Sequence, residues 1–178
     1  VDFPDSKFKN SAILLMAKSQ YYREDYDLSI NNLRIISKSG TDKQIEEAKY
    51  WIALCKWKKG NMQAAIDELT LLINSAKIDD IKSKAFLSLA DIFKELKNPE
   101  QSIEYLQSAI QITKSRNQKG IISNKLAEMA FEKNDLKLAL EGYENVTAFS
   151  ISKKNVENAH IQILKIYRAQ KKYKQATR

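Results

Sequence analysis

Four short stretches decide the fold: Asp25-Tyr26-Asp27-Leu28-Ser29-Ile30, Asn61-Met62-Gln63-Ala64-Ala65-Ile66, Asn98-Pro99-Glu100-Gln101-Ser102-Ile103 and Asp135-Leu136-Lys137-Leu138-Ala139-Leu140. Their starts lie 36, 37 and 37 residues apart, and a fifth stretch, Lys172-Tyr173-Lys174-Gln175-Ala176-Thr177, follows after another 37. The leading residues Asp25, Asn61, Asn98 and Asp135 carry side chains that accept a hydrogen bond from the free backbone N–H groups of a helix start, so each copy opens a helix. Pro99, directly after Asn98, removes only an N–H that the helix does not use. The fifth column, Ser29, Ala65, Ser102, Ala139 and Ala176, is always small, and the residue after it is Ile30, Ile66, Ile103, Leu140 or Thr177. Small beside large at constant phase marks a close approach of two helices.

A second apolar pattern at helical spacing precedes each cap: Met16-Ala17, Ile52-Ala53, Leu89-Ala90, Leu126-Ala127 and Ile163-Leu164. Each repeat therefore reads as helix, short turn, helix, over about residues 10–41, 46–78, 83–115, 120–152 and, in part, 157–178. The alanine of the first helix faces the small residue of the second. A further column, Ala12, Ala48, Ala85 and Ala159 with Ile122 as the exception, lets neighbouring repeats stack. Ala64 reads as an exposed alanine that tolerates a larger side chain.

Taken together, Ile52-Ala53, Gly60-Asn61-Met62, Ala65-Ile66, Leu69 and Leu72, then Phe86, Leu89-Ala90, Phe93, Pro99, Ser102-Ile103, Leu106 and Ala109, make the chain resemble the tetratricopeptide repeat. That resemblance implies an all-α, right-handed α-solenoid of antiparallel helix pairs, a single array over residues 1–178. The period exceeds the family's usual 34, and Leu164 stands where the other copies have alanine. A narrower likeness rests on Phe3-Pro4-Asp5-Ser6 and Ala48-Lys49-Tyr50-Trp51-Ile52-Ala53, which look like bacterial envelope repeat proteins such as the outer-membrane assembly lipoprotein and the Tol-Pal coordinator, and so point to the periplasm or cell envelope.

Composition narrows the function. With 43% hydrophobic and 29% charged residues the chain is that of a folded protein, and no unbroken apolar run exceeds six residues, Ala12–Ala17 among them, against the roughly 18 of a membrane span. The net charge of +8 is uneven: residues 1–144 carry 22 basic and 21 acidic side chains, residues 145–178 eight basic and one acidic. Lys165, Arg168, Lys171, Lys172 and Lys174 form a basic patch there. Binding of nucleic acid or an anionic surface through that patch is the alternative reading, although the balanced charge elsewhere makes nucleic acid the weaker partner class. The start at Val1 reads as that of an excised or processed fragment.

Enzymatic chemistry finds no foothold: a glycine-rich phosphate loop, a nucleophile elbow and zinc-ligand spacing are all missing, so no catalytic residue, metal or cofactor is expected. His160 is expected to pack partly buried, and Cys55, in a column with Ile92, Met129 and Ile166, to be a small buried hydrophobe. Glu46-Glu47 and Asp79-Asp80 are read as helix-start charges complementing the dipole, and Glu141 and Glu144 as solvated charge.

The expected function is thus a non-enzymatic scaffold that binds a peptide or protein segment. By the family likeness the concave face is lined by first helices, which implicates Leu14, Lys18, Tyr21, Tyr50, Leu54, Trp57, Leu87, Asp91 and Phe131. A solvated surface does not need Trp and Tyr, whereas interface hot spots are rich in both. The opposing possibility, that Tyr50 and Trp57 pack between repeats, stays open at this stage. Leu14, Lys18, Trp51, Lys84 and Ser88 occupy the positions where some family members clamp a peptide carboxylate with Lys and Asn, so a chaperone-tail clamp is not expected.

Overall fold

The computed structural model describes residues 8–170, and every regular element among them is an α-helix. In chain order these are α1 (Lys9–Tyr22), α2 (Tyr26–Ser39), α3 (Asp42–Lys58), α4 (Met62–Ser75), α5 (Asp79–Glu95), α6 (Pro99–Ile112), α7 (Arg116–Glu132), α8 (Leu136–Phe149) and α9 (Lys153–Ala169). They form a tandem array of antiparallel helix pairs. The chain divides into two compact units, Val1–Ile92 and Phe93–Arg178. The fifth repeated stretch, 172–177, lies outside the described residues, as does the segment Phe3–Ser6.

The second helix of each pair begins where the repeated stretches require. Asp25, Asn61, Asn98 and Asp135 are the N-cap residues of α2, α4, α6 and α8. Asn98 accepts from the N–H of Gln101 at 3.2 Å and Asp135 from that of Leu138 at 3.0 Å. At Asp25 and Asn61 the side chain makes no such bond.

The turn before each cap has a feature the sequence hides. Glu24, Gly60, Lys97 and Asn134 all adopt positive φ, between 56° and 84°. Each left-handed residue lets the next N–H reach back to a carbonyl of the helix it ends: Asp25 to Gln20, Asn61 to Lys56, Asn98 to Phe93 and Asp135 to Ala130, all at 2.9 Å. This closes the helix C-terminus and satisfies carbonyls that would otherwise be orphaned. Glycine occupies the site only at Gly60.

First helices start earlier than the apolar pattern indicates, because polar caps precede it. Thr41 and Gln44 form a reciprocal capping box on α3, and Ser115 and Ser152 accept from Gln118 and Asn155 to start α7 and α9. Asp79 and Asp80 do lie in the first turn of α5. Glu46 does not serve its own helix start, a correction to the sequence reading. It is 8% exposed, and its carboxylate accepts from the N–H groups of Lys77 at 2.7 Å and Ile78 at 3.2 Å, in the connection that leads into α5.

In the first unit, α1 packs on α2, α2 on α3, α3 on α4, and α1 also meets α3. The small columns are buried as their phase demands: Ala17, Ser29, Ala53 and Ala65 are fully covered. Ser29 donates its hydroxyl to the carbonyl of Ala17 at 2.8 Å, the direct mark of α1 and α2 in close approach. Leu14, Ala17, Ile30, Leu33, Ile36, Ala48 and Cys55 form one core, so the stacking column and Cys55 reach back onto the preceding pair. Ala64 is half-buried rather than exposed.

In the second unit α6 packs on α7, α7 on α8 and α8 on α9. Ala127, Ala130, Ala139, Tyr143, Val146, Ala159 and Ile166 make its core. A Cβ on Gly142 of α8 would stand 2.8 Å from that of Ala127, so α7 and α8 meet with no room for a side chain there. Equivalent ion pairs tie repeats together in each unit, Lys59 with Asp27 at 2.5 Å and Lys133 with Glu100.

Candidate functional site

Tyrosines and tryptophans gather on the first helices of the first unit. Trp51, projecting from α3, has edge-to-face contacts with Tyr21 at 5.1 Å, Tyr50 at 5.8 Å and Tyr22 at 5.9 Å between ring centroids. Tyr21 also meets Tyr22 and Tyr26. Aromatic rings prefer this geometry because the positive edge of one meets the negative face of another. The Lys18 ammonium lies 5.6 Å from the Trp51 ring and pairs with Glu47, tying α1 to α3 by charge as well as by ring contact. Tyr22, at the end of α1, remains 74% exposed while it touches this cluster.

The predicted residues of the first unit fall into three groups. Lys18, Tyr21 and Tyr50 belong to the aromatic cluster and are half-buried. Leu14 shares a core with Tyr21 and Trp51, and Leu54 is buried as well, each 7% exposed, so neither offers an open surface. Trp57, Leu87 and Asp91 are half-buried further along α3 and α5, with the Lys58 ammonium 4.6 Å from the Trp57 ring. The expected Tyr50-Leu54-Trp57 stripe is therefore broken in the middle. Phe131, Lys165 and Arg168 are exposed and belong to the second unit, and Lys171, Lys172 and Lys174 lie outside the described residues.

Besides its ring contact with Trp51, Tyr50 has its hydroxyl 3.2 Å from the Ser88 hydroxyl of α5. Trp51 and Tyr22, which helical spacing does not single out, complete the cluster. Adjacent residues of a helix point about 100° apart, so Tyr50 and Trp51 could not both be assigned to one face from spacing alone.

Burial and the neighbouring phenols Tyr26 and Tyr50 hold the Tyr21 hydroxyl up to about 12. Burial raises Tyr50 as well, with the Ser88 hydrogen bond opposing it. The Cys55 thiol is buried, lies 3.4 Å from the Ser29 hydroxyl, and is pushed up by burial, so it is an unreactive packing group. His160 is exposed on α9, a correction to the expected partial burial. Its column mixes half-buried Ile13 and Phe86 with exposed Lys49 and fully buried Ser123, so the column does not fix burial from one repeat to the next. Glu141 and Glu144 are exposed.

Two clefts open in the first unit, apart from the aromatic cluster. One, about 220 Å³, is lined by Lys49, Ile52, Glu68, Leu71, Leu72 and Ser75. The other, about 290 Å³, is lined by Asp27, Ile30, Asn31, Arg34, Lys56, Lys59 and Asn61. Among the described residues no group of three or more His, Cys, Asp or Glu side chains is placed to hold a metal ion, and no helix is long and apolar enough to cross a membrane.

Comparison with known proteins agrees with this architecture. Residues 83–116 match the tetratricopeptide repeat family, on the repeat containing Leu89-Ala90, Pro99 and Ser102-Ile103. No curated protein matches the chain. Among solved structures, BtubC (BKLC) from P. vanneervenii superposes with a TM-score of 0.70 at 16% identity, over 93% of this chain and 74% of that one. A MamA protein gives 0.66 at 16% identity, over 97% and 88%. A signal transduction ATPase with numerous domains and a tetratricopeptide repeat sensor, from Pyrococcus horikoshii, gives 0.72 at 13% identity, over 94% of this chain and 28% of that one. At such identities the likeness establishes a tetratricopeptide-like fold, an architecture that generally serves protein–protein interaction.

Proposed function

We propose that the protein is a non-enzymatic interaction scaffold whose first unit holds a peptide or protein segment against α1, α3 and α5, with Tyr22, Trp51 and Tyr50 as anchors. The observation that carries this reading is the aromatic cluster itself, whose most exposed member, Tyr22, stays largely in solvent while the half-buried members pack edge to face on one another. Ordered rings at a water boundary lose little entropy when a partner covers them, which is why Tyr and Trp dominate interface hot spots. Lys18 and Glu47 supply a charged border, Leu14 a packed floor, and Trp57, Leu87 and Asp91 extend the surface along α3 and α5.

Panning a random peptide library against the intact chain supplies ligands for the test. Tyr22→Ala is expected to weaken the selected peptides by about 2 kcal/mol, roughly thirtyfold, while its denaturation midpoint stays within experimental error of the parent. Trp57→Ala tests the far end of the surface in the same way. Peptides that bind Tyr22→Ala and Trp57→Ala as tightly as the parent would move the site off these helices.

A further inference from the structure

The two clefts of the first unit follow one helix. Lys49, Ile52, Lys56 and Lys59 run along one face of α3 at i, i+3, i+7 and i+10, the first two lining the cleft of about 220 Å³ and the last two the cleft of about 290 Å³. Helix α4 walls the smaller cleft with Glu68 and Leu71, and α2 walls the larger with Asp27 and Arg34. The ion pair of Lys56 with Glu68 joins them, since Lys56 lines one cleft and Glu68 the other. Neither cleft belongs to an end of the array, because α2, α3 and α4 follow α1 and precede α5 in the chain.

Charge along this line is uncompensated. The linings hold four cations, Lys49, Arg34, Lys56 and Lys59, and two acids, Asp27 and Glu68. Both acids are already paired, Asp27 with Lys59 at 2.5 Å and Glu68 with Lys56. Arg34 and Lys49, one in each cleft, are exposed and have no acidic partner among the described residues. Apolar surface lies between them: Leu71, on the rim of the smaller cleft, is 67% exposed, and Ile52 is half-buried.

The repeat does not impose this chemistry. The pair of Lys59 with Asp27 has its counterpart in Lys133 with Glu100, yet around that counterpart Glu104 stands for Asn31, Gln107 for Arg34, Ala130 for Lys56 and Asp135 for Asn61. The same helix contact thus carries an acidic lining in the second unit and a basic one in the first.

We infer that this line of clefts is a docking site for an acidic segment of a partner protein, an extended stretch in which two Asp or Glu residues flank an aliphatic side chain. One carboxylate meets the Lys49 ammonium. The other meets Arg34, whose planar guanidinium can offer a carboxylate two parallel N–H donors. The aliphatic side chain covers Leu71 and Ile52. Lys49 and Lys56 lie about 10 Å apart along the helix, so in an extended chain the two acids stand about three residues or more apart. A nucleic-acid strand satisfies the charges but not the aliphatic lining. These residues are not those of the aromatic surface, so either reading can fail without the other.

Random peptides displayed on phage are panned in parallel on the intact chain, on Tyr22→Ala and on the double variant Arg34→Glu, Lys49→Glu, each checked for unchanged far-UV circular dichroism. The expected result is a class of acidic peptides with a central Leu, Ile or Val, enriched on the parent and on Tyr22→Ala and lost on the charge-reversed chain. The leading peptide, labelled with fluorescein, is then titrated at low salt and followed by anisotropy. Arg34→Gln and Lys49→Gln should each weaken it about threefold, Leu71→Asp about tenfold, and Lys137→Gln, which removes a distant charge, should change nothing. Absence of such a class, or its full retention on the charge-reversed chain, overturns the inference. Equal binding to Leu71→Asp, or displacement by an oligothymidylate of equal charge as readily as by unlabelled peptide, overturns the assignment of a protein segment and leaves a general anion surface.

Discussion

Lys97 and Gly60 occupy the same turn in successive repeats with φ values of 56° and 84°, and exchanging their side-chain character isolates the energy of that backbone conformation. A residue with a Cβ gives up about 1–2 kcal/mol in the left-handed region. Glycine gives back about 0.4–1 kcal/mol through the greater freedom of the unfolded chain. Lys97→Gly should therefore stabilise the protein by about 0.5–1 kcal/mol, and Gly60→Ala should destabilise it by a similar amount. Sterics do not confuse the second variant, because an added Cβ at Gly60 has no heavy atom within 4 Å. Lys97 is exposed. Asn134 supplies an internal scale: asparagine tolerates this conformation, so Asn134→Gly should gain less than Lys97→Gly. Urea denaturation followed by circular dichroism at 222 nm is the assay. With a slope near 2 kcal/mol per molar urea the midpoints should move by about 0.3–0.5 M in opposite directions, at constant slope. A lower midpoint for Lys97→Gly, or an unchanged one for Gly60→Ala, would refute the argument that these turns store backbone strain.

The other expectations follow from packing and charge. Glu46→Ala leaves the N–H groups of Lys77 and Ile78 without their carboxylate and should cost about 1–3 kcal/mol, with Glu46→Gln losing less because one acceptor remains; equal midpoints for parent and alanine variant would remove the capping role. Ala53→Leu should overpack the α3–α4 contact and cost about 1–3 kcal/mol, whereas Ala12→Leu, on an exposed site, should leave thermal unfolding nearly unchanged. Alkaline pH should destabilise the fold through Tyr21. Its folded pKa of about 12 stands above the ordinary phenol value of 10, so the folded state holds the proton longer. The stabilising contribution is complete below pH 10 and is lost as pH rises through 12. Urea midpoints measured across that window should fall for the parent and fall less for Tyr21→Phe, and identical profiles would contradict the assignment.

The helical class, the period and the starts of α2, α4, α6 and α8 can be read from the chain alone. These were legible because an N-cap is a local device, a side chain serving N–H groups two or three residues ahead, and because Ala17, Ser29, Ala53 and Ala65 recur at one phase. Burial of Cys55 could be read from its column for the same reason. Tertiary structure decided the rest. Glu46 finds its partners more than thirty residues away, so nothing near it in the chain announces the capping role. Glu24 and Lys97 adopt a conformation their own residue types disfavour, because two helices that must pack antiparallel need a tight reversal between them. Which stripe of each first helix faces outward depends on the rotation of that helix against its neighbours. Spacing groups Tyr50, Leu54 and Trp57 on one face, yet packing buries Leu54, turns Tyr50 to Ser88 and gathers the rings of α1 around Trp51. A rotation of a few tens of degrees separates those outcomes, and it is set by the sum of many side-chain contacts between helices, which no periodicity within a single helix records.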